Sequence, residues 1–428
     1  MKILILGGGI CGLSTYLALK QRLPGATINL YESHTSTTLG IGGGLGLAPN
    51  GLRALHSLDT KIPESIAARG FGCDRILFRN AAGRKLGTMI SGTKERYGFE
   101  QQFLARSEVY AAVLERVEDK SGIVWGRKVQ AVKEDGKRVV VTFEDGTTEE
   151  AHLVLGCDGV RSVTRQAVVN GAEAEYQGLT GTGGFLSTAS LPQKLQDALK
   201  TEAVTMTFGP DGFFGYSLCN ADGSQVQWWS TFEAASPLPR DMPVSEIRES
   251  LLRRHGEWKS PHDTSEHPVF SSIIKQACGS SDSATAAEQG VLVLPVYVIS
   301  RLSTWGSESG RILLLGDAAH TMPPDTGQGV SCAAEDAIAI AMLLENAGEN
   351  VDFRKLKEDY ETLRMPRIHK ILDIAKRMGD QKKKLSAVQE LMRDVAMWVM
   401  CKLPEGTVSE RFAYDVQMEV EKLLEKRK

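Results

Sequence analysis

The sequence predicts an α/β fold in which a nucleotide-binding domain of parallel strands is interwoven with an antiparallel-sheet substrate domain and followed by C-terminal helices. Three observations carry that reading. An apolar strand, a glycine-rich turn and a helix open the chain as KILILGGGICG, Lys2 to Gly12. Period-two alternation around Asp-Gly turns begins near Gly126. A second strand-turn-helix, LLLGDAAHTMPPDTGQGVS at Leu313 to Ser331, returns late in the chain to the first kind of pattern.

Taken in order, Lys2 to Leu6 is a short apolar strand, the glycines make a tight turn, Leu13 to Arg22 is a helix stopped by Pro24-Gly25, and Ala26 to Tyr31 is the next strand. This is a β-α-β unit of about thirty residues, the size of a dinucleotide-binding half. Leu39 to Leu47 is glycine-dense; Pro49 to Leu58 and Ser107 to Val117 read as helices. From Gly126, apolar alternation around Asp135-Gly136 and Asp145-Gly146 predicts hairpins, because those dipeptides accept the positive φ of tight turns. Strands continue mainly from Tyr176 to Phe232. Alternation there sends Trp228, Ser230 and Phe232 to one face and Gln227, Trp229 and Thr231 to the other, so at most one tryptophan lines a given cavity.

Pro237 to Gln289 has weak periodicity and reads as helices and loops, and Arg311 to Leu315 is the final core strand. Gly327 to Asn346 and Asp352 to Met378 are predicted helices, with a kink or break at Pro366. Val388, Leu391, Met392, Val395 and Val399, then Phe412, Val416, Val420 and Leu423, repeat at helical spacing. The expected division is 1–175 for the nucleotide-binding domain with inserted hairpins, 176–275 for the substrate sheet, 276–346 for the return of the first domain, and 347–428 for C-terminal helices.

The chain has 428 residues, 42% hydrophobic and 24% charged, with a formal charge of -3. These values fit a globular enzyme acting on a small molecule and show no basic excess for nucleic acid. Seven dispersed cysteines without a C-x-x-C pair argue against zinc or a redox disulfide, so no metal site is expected and a reducing, cytoplasmic setting fits. Glycines interrupt the apolar run Ile3 to Leu19, which argues against a signal peptide. No window reaches the length of an integral membrane segment; Val395 to Cys401, flanked by Asp394 and Lys402, reads as a buried helix face.

Gly7-x-Gly9-x-x-Gly12 follows a strand and opens a helix, and Glu32 stands about twenty residues on, where a carboxylate binds ribose hydroxyls. The glycines let backbone approach a pyrophosphate, and the helix N-terminus supplies N–H groups. An acid at position 32 suits FAD or NAD and disfavours a 2′-phosphate. No second such motif follows a strand, which argues against two-nucleotide disulfide reductases.

Three signatures, GGGICG at Gly7 to Gly12, CDGVRSVTR at Cys157 to Arg165 and GDAAHTMPP at Gly316 to Pro324, occur with Asn50 in GLAPNGLRAL, Arg106 in FLARSEVYAAVL, and YETLRMPR at Tyr360 to Arg367. In this order they resemble the flavoprotein monooxygenases of the aromatic-hydroxylase type, similar to para-hydroxybenzoate and salicylate hydroxylases and their fungal biosynthetic relatives. The resemblance implies a Rossmann-like FAD-binding domain in which Arg106 contacts the flavin, and Asp158 and Gly159 contact FAD. It also implies that Ser162 and Arg165 serve reduced nicotinamide; the plainer reading of this motif is a turn closing a strand, with its arginines solvated.

One cofactor then joins both glycine-rich turns. Its adenine end would lie at Gly7 to Glu32, and Asp317 would accept from a ribityl hydroxyl beside the small Ala318 and Ala319. A helix starting near Gly327, with Gly329 and Val330, would aim N–H groups at the flavin's N1/O2 edge, where charge accumulates on reduction. Gly43 completes the expected cofactor set. Pro323 and Pro324 would shape the pocket beside the flavin, and His320 reads as structural or cofactor-adjacent rather than as a general base. Phe213, Phe214, Tyr216 and Trp228 are candidates for the substrate pocket, each also explicable as core.

The implied activity uses NADPH or NADH to reduce FAD; dioxygen adds at flavin C4a, and the hydroperoxide delivers one oxygen to an aromatic or electron-rich substrate resembling a natural product. The protein's part is to hold substrate and exclude water, so no single catalytic side chain is required. The nicotinamide would bind transiently on a surface including Arg165, and the Gly40 to Gly46 loop would give the flavin room to swing. Other readings are an isoprenoid reductase or a halogenase on this scaffold, although the W-x-W-x-I-P halogenase signature is missing. A non-catalytic carrier of the dissociation-inhibitor type would keep the first motif alone, and all three are retained.

Overall fold

A computed structural model of the chain describes residues 1–35, 42–281 and 283–427. Its parallel sheet runs in the order Ile312–Leu314, Leu153–Gly156, Lys2–Leu6, Thr27–Tyr31, Ile123–Val124. The central strands are apolar on both faces because both are covered. Ile3 and Ile5 pack with the helices Ile10–Arg22 and Gly329–Ala347. Leu4 and Leu6 instead meet Val139, Val141 and Phe143 of an antiparallel three-stranded sheet. That sheet is the predicted hairpin region, Val129–Asp135, Arg138–Phe143 and Thr148–Ala151, with Gly136 and Gly146 at positive φ in its turns.

A seven-stranded mixed sheet runs Leu292–Ile299, Ala174–Ser187, Gln225–Glu233, Gly212–Leu218, Val204–Gly209, Arg75–Asn80, Lys85–Ile90. Its last two strands come from within 1–175 and its first from within 276–346. The interweaving therefore runs deeper than the expected boundaries. The helices Val244–His255 and Val269–Cys278 cover one face, through Val244, Ile247, Phe270 and Ile273. The other face borders a cavity.

The helix Phe353–Asp380 continues through Pro366 rather than breaking there. Proline removes one backbone bond, but Arg364 and Arg367 on either side are anchored by ion pairs to Glu335, so tertiary contacts carry the helix across the gap. The next helix, Ala387–Met400, starts with a capping box of Ser386 and Gln389. Its apolar repeat was expected to face inward; instead Val388, Leu391, Val395 and Trp398 are exposed. The helix is held by its other side, where buried Arg393 donates to the Gly209 carbonyl at 2.9 Å and Met397 and Met400 pack on the sheet. Among the described residues no helix is long and apolar enough to cross a membrane.

Candidate active site

The first turn separates packing glycines from a ligand-facing one. Gly7 has φ +102, and a Cβ there would overlap the Cys157 carbonyl oxygen; one at Gly12 would overlap the Gly7 carbonyl. Gly9 is open, with Arg106 Nη2 the nearest atom at 3.8 Å from such a Cβ. Gly9 also begins the helix Ile10–Arg22 without a side-chain cap, leaving first-turn N–H groups for a ligand. Glu32 is buried: Oε2 accepts the Gly8 N–H at 2.6 Å, and Oε1 accepts the His34 N–H at 2.8 Å and the Ser33 hydroxyl at 2.9 Å. Burial pushes its carboxyl up, but bonds from His34, Gly8 and Ser33 prevail and hold it below the usual range. The charged group keeps lone-pair capacity on Oε2 for a further donor.

Asp158, which borders the cavity, accepts the Ser162 hydroxyl at 2.5 Å and the Thr164 N–H and hydroxyl at 2.9 Å each. Ser162 in turn caps the helix Val163–Val168 by accepting the Arg165 N–H. Here the geometry departs from expectation. Arg165 is 1% exposed, and its guanidinium donates to the carbonyls of Ala172 at 2.9 Å, Ala318 at 3.0 Å and Val160 at 2.5 Å. Ser162, equally buried, is committed to its cap. Neither offers a surface to a nicotinamide; both brace the turn, while Arg161 is exposed on the cavity wall.

Asp317 projects into the cavity from the late turn, above buried Ala318 and Ala319. His320 points away into a buried charge cluster. Its Nε2 lies 2.7 Å from Asp336 Oδ2, which also accepts the Gly316 N–H at 2.9 Å, and Arg364 Nε donates to Asp336 Oδ1 at 2.8 Å. Glu335 takes Arg364 at 2.8 Å, Arg367 at 2.7 Å and Asn50 Nδ2 at 2.7 Å; Asn50 also donates to Gln328 at 2.9 Å. Burial alone would raise the Asp336 carboxyl, yet His320 and Arg364 bring it down to about 2. Sequence reasoning passed over Gln328, Glu335 and Asp336. The available signal was an acidic pair inside the apolar run CAAEDAIAIAM, which burial permits only with cationic partners.

These braces place Gly327, Gly329 and Val330, at the start of the helix Gly329–Ala347, on the cavity wall with Pro323 and Pro324. Gly43 lies there too, but Gly44 is packed so closely on Gln227 that a Cβ would overlap its side-chain oxygen. Of the glycine-dense loop, Gly40 and Ile41 lie outside the described residues. The strand Gly44–Leu47 pairs with Gln102–Ala105, so the described part is a packed edge.

The cavity has a volume of about 1720 Å³ and runs from Glu32 and Arg106 to the seven-stranded sheet. Phe208, Phe213 and Trp229 face it, with Met206 and Phe78. Phe213 and Trp228 were expected there and both border it, although the Trp228 ring stacks on Phe214 at 5.9 Å; Phe214 and Tyr216, also expected, are not on the wall, and Phe214 meets Phe270 on the opposite face. The register decides this, since Phe213 pairs with Thr231 and Gly215 with Trp229, and Gly215 leaves space under the Trp229 ring. The polar end is an ion pair, Lys382 Nζ to Asp325 Oδ1 at 2.5 Å, with the ammonium 4.3 Å from the Phe213 ring centroid.

The residues fit FAD. One cavity joins both glycine-rich turns, backbone is open at Gly9, Gly159 and Gly329, a charged carboxylate stands at the Glu32 end, and Arg106 lies between. The 3-amino-4-hydroxybenzoate 2-monooxygenase of Streptomyces cremeus is 28% identical over 384 residues, covering 89% of this chain and 87% of its own. The FAD-dependent monooxygenase penM of Penicillium crustosum is 26% identical over 380 residues, covering 86% and 76%. HpxO of Klebsiella pneumoniae, solved with FAD and uric acid, shares the fold with a TM-score of 0.76 at 22% identity, covering 99% of this chain and 97% of that one. The family model described as FAD binding domain matches residues 1–375, most of the chain, and the protein accordingly belongs to that family and is an FAD-dependent flavoprotein monooxygenase.

Proposed function

We propose that the enzyme uses NADPH or NADH and dioxygen to insert one oxygen atom into an aromatic or otherwise electron-rich substrate resembling a natural product. The observation that carries this is the continuity of the cavity from the cofactor turns to an aromatic wall. When bound, FAD supplies the redox chemistry that links nicotinamide oxidation to dioxygen activation. Phe208, Phe213 and Trp229 hold a flat apolar ring, and Pro323 and Pro324 stiffen the wall that separates it from the cofactor turn. Lys382 can donate to, and Asp325 accept from, a polar substituent at the far end. Enclosure by the sheet excludes water from the reacting centre. The relative named above for 3-amino-4-hydroxybenzoate, and the structure that holds uric acid, each concern a planar ring compound, which supports this reading.

The test is turnover of the FAD-loaded enzyme with NADH or NADPH under isotopically labelled dioxygen, across hydroxybenzoates, indoles and polyketide-like phenols. One labelled oxygen per product molecule is expected. Reduced product without label from any member would replace this reading with a reductase, and a protein that purifies colourless and fails to take up FAD would replace it with a carrier.

A further inference from the structure

The helix Ala387–Met400 is apolar on the side facing away from the molecule. Val388, Leu391, Val395, Trp398, Val399 and Leu403 recur at three- and four-residue spacing and are 44–68% exposed. They form one stripe about four turns long, roughly 22 Å. A run of this size on a free surface marks an interaction site.

Charge distribution identifies the partner. Lys383 and Lys384 precede the helix, Lys383 also touching Asp380, while Lys402 follows it and Lys85 sits beside Cys401 at the same end. Lys402 Nζ lies 5.9 Å from the Trp398 ring centroid. The helix's own carboxylates are turned inward: Asp394 accepts from Asn80 at 2.9 Å and from Arg393 at 3.2 Å, and Glu390 lies 3.6 Å from Arg393. The C-terminal end of the stripe, with Lys402 and Lys85, is thus cationic on a chain of net charge -3, while at the other end Lys383 and Lys384 stand with Asp380 and Glu233. Two copies paired through it with their helices parallel would set Lys402 against Lys402. A bilayer with anionic headgroups meets the apolar stripe, Trp398 and the cationic end at Lys402 together. The opposite side of the helix, through Arg393, Ala396, Met397 and Met400, walls the cavity.

We propose that this stripe docks the enzyme on an anionic lipid surface, with the helix lying in the headgroup plane, so that an apolar substrate reaches the cavity from the bilayer. The test mixes FAD-loaded full-length protein with phosphatidylcholine vesicles, with and without phosphatidylglycerol, and measures flotation and the emission of Trp398, isolated as the difference from Trp398→Phe. Flotation with the mixed vesicles is expected, with a blue shift of Trp398 and binding about tenfold weaker on neutral vesicles. Leu391→Glu combined with Val395→Glu is expected to abolish flotation while flavin content and hydrodynamic mass stay unchanged. Lys384→Glu combined with Lys402→Glu is expected to remove the preference for anionic lipid. The proposal is overturned if wild-type protein floats with neither vesicle, or if the stripe variant floats as wild type does. It is equally overturned if light scattering shows a dimer that the stripe variant dissolves, which would assign the face to a second copy.

Discussion

The Arg165 guanidinium donates to the Ala318 carbonyl at 3.0 Å, joining the turn that follows the strand Leu153–Gly156 to the turn that follows Ile312–Leu314. The two strands are parallel neighbours, so one buried arginine sets the spacing of two cofactor turns. Its remaining bonds go to the Val160 carbonyl and to the Ala172 carbonyl, which also accepts from the Gln166 amide at 3.0 Å.

Arg165→Ala is therefore expected to lower stability by about 3 kcal/mol, through carbonyls left without donors, and to lower FAD content with it. Stopped-flow reduction by NADPH, normalised to bound flavin, is expected to match wild type. Slower reduction at full flavin content would return Arg165 to the nicotinamide site.

Asp317 and His320 stand four positions from end to end of one motif yet face opposite ways. Asp317→Ala is expected to weaken FAD binding with little change in apoprotein stability, because its carboxylate projects into the cavity. His320→Ala removes a buried partner of Asp336 and is expected to lower the melting temperature first. Glu32→Ala is expected to weaken FAD by about 1.5–3 kcal/mol, the value of a charge-assisted bond. Flavin titration and thermal unfolding of the three variants separate these effects.

Acid stability reports on Asp336. Its carboxyl is lowered from 3.8 to about 2 in the folded chain. The folded state therefore binds the proton less readily than the unfolded one, and the stabilisation is fully present above the ordinary carboxylate range and lost as pH falls through about 2. The contribution is on the order of 2 kcal/mol. Urea unfolding between neutral and strongly acidic pH is expected to show this loss in wild type and a flatter profile in Asp336→Asn, which is less stable at neutral pH.

The two adjacent tryptophans are expected to behave differently. Trp228→Ala removes a side chain packed between sheet and helices and is expected to cost about 3–5 kcal/mol. Trp229→Ala, on the cavity wall, is expected to cost less and to change which substrates are turned over. Chemical denaturation and the labelled-dioxygen panel measure the two effects.

Local pattern was sufficient for the parallel unit from Lys2 to Tyr31, the Asp-Gly hairpins, the late strand-turn-helix and the parity of Gln227 to Phe232, since each depends on backbone geometry within a few residues. Tertiary structure decided what depends on distant partners. It chose which rings face the cavity, adding Trp229 and leaving out Phe214 and Tyr216, through a register set between strands and helices on the far side. It drew the strands 75–90 into the second sheet by pairing Arg75–Asn80 with Val204–Gly209. It buried Arg165, His320 and Asp336, whose roles rest on carbonyls and charges brought from elsewhere in the chain. It also turned the apolar stripe of Ala387–Met400 outward. Periodicity shows that a helix has an apolar face, but the side that meets the core is settled by every other contact the helix makes, here the anchoring of Arg393, Met397 and Met400.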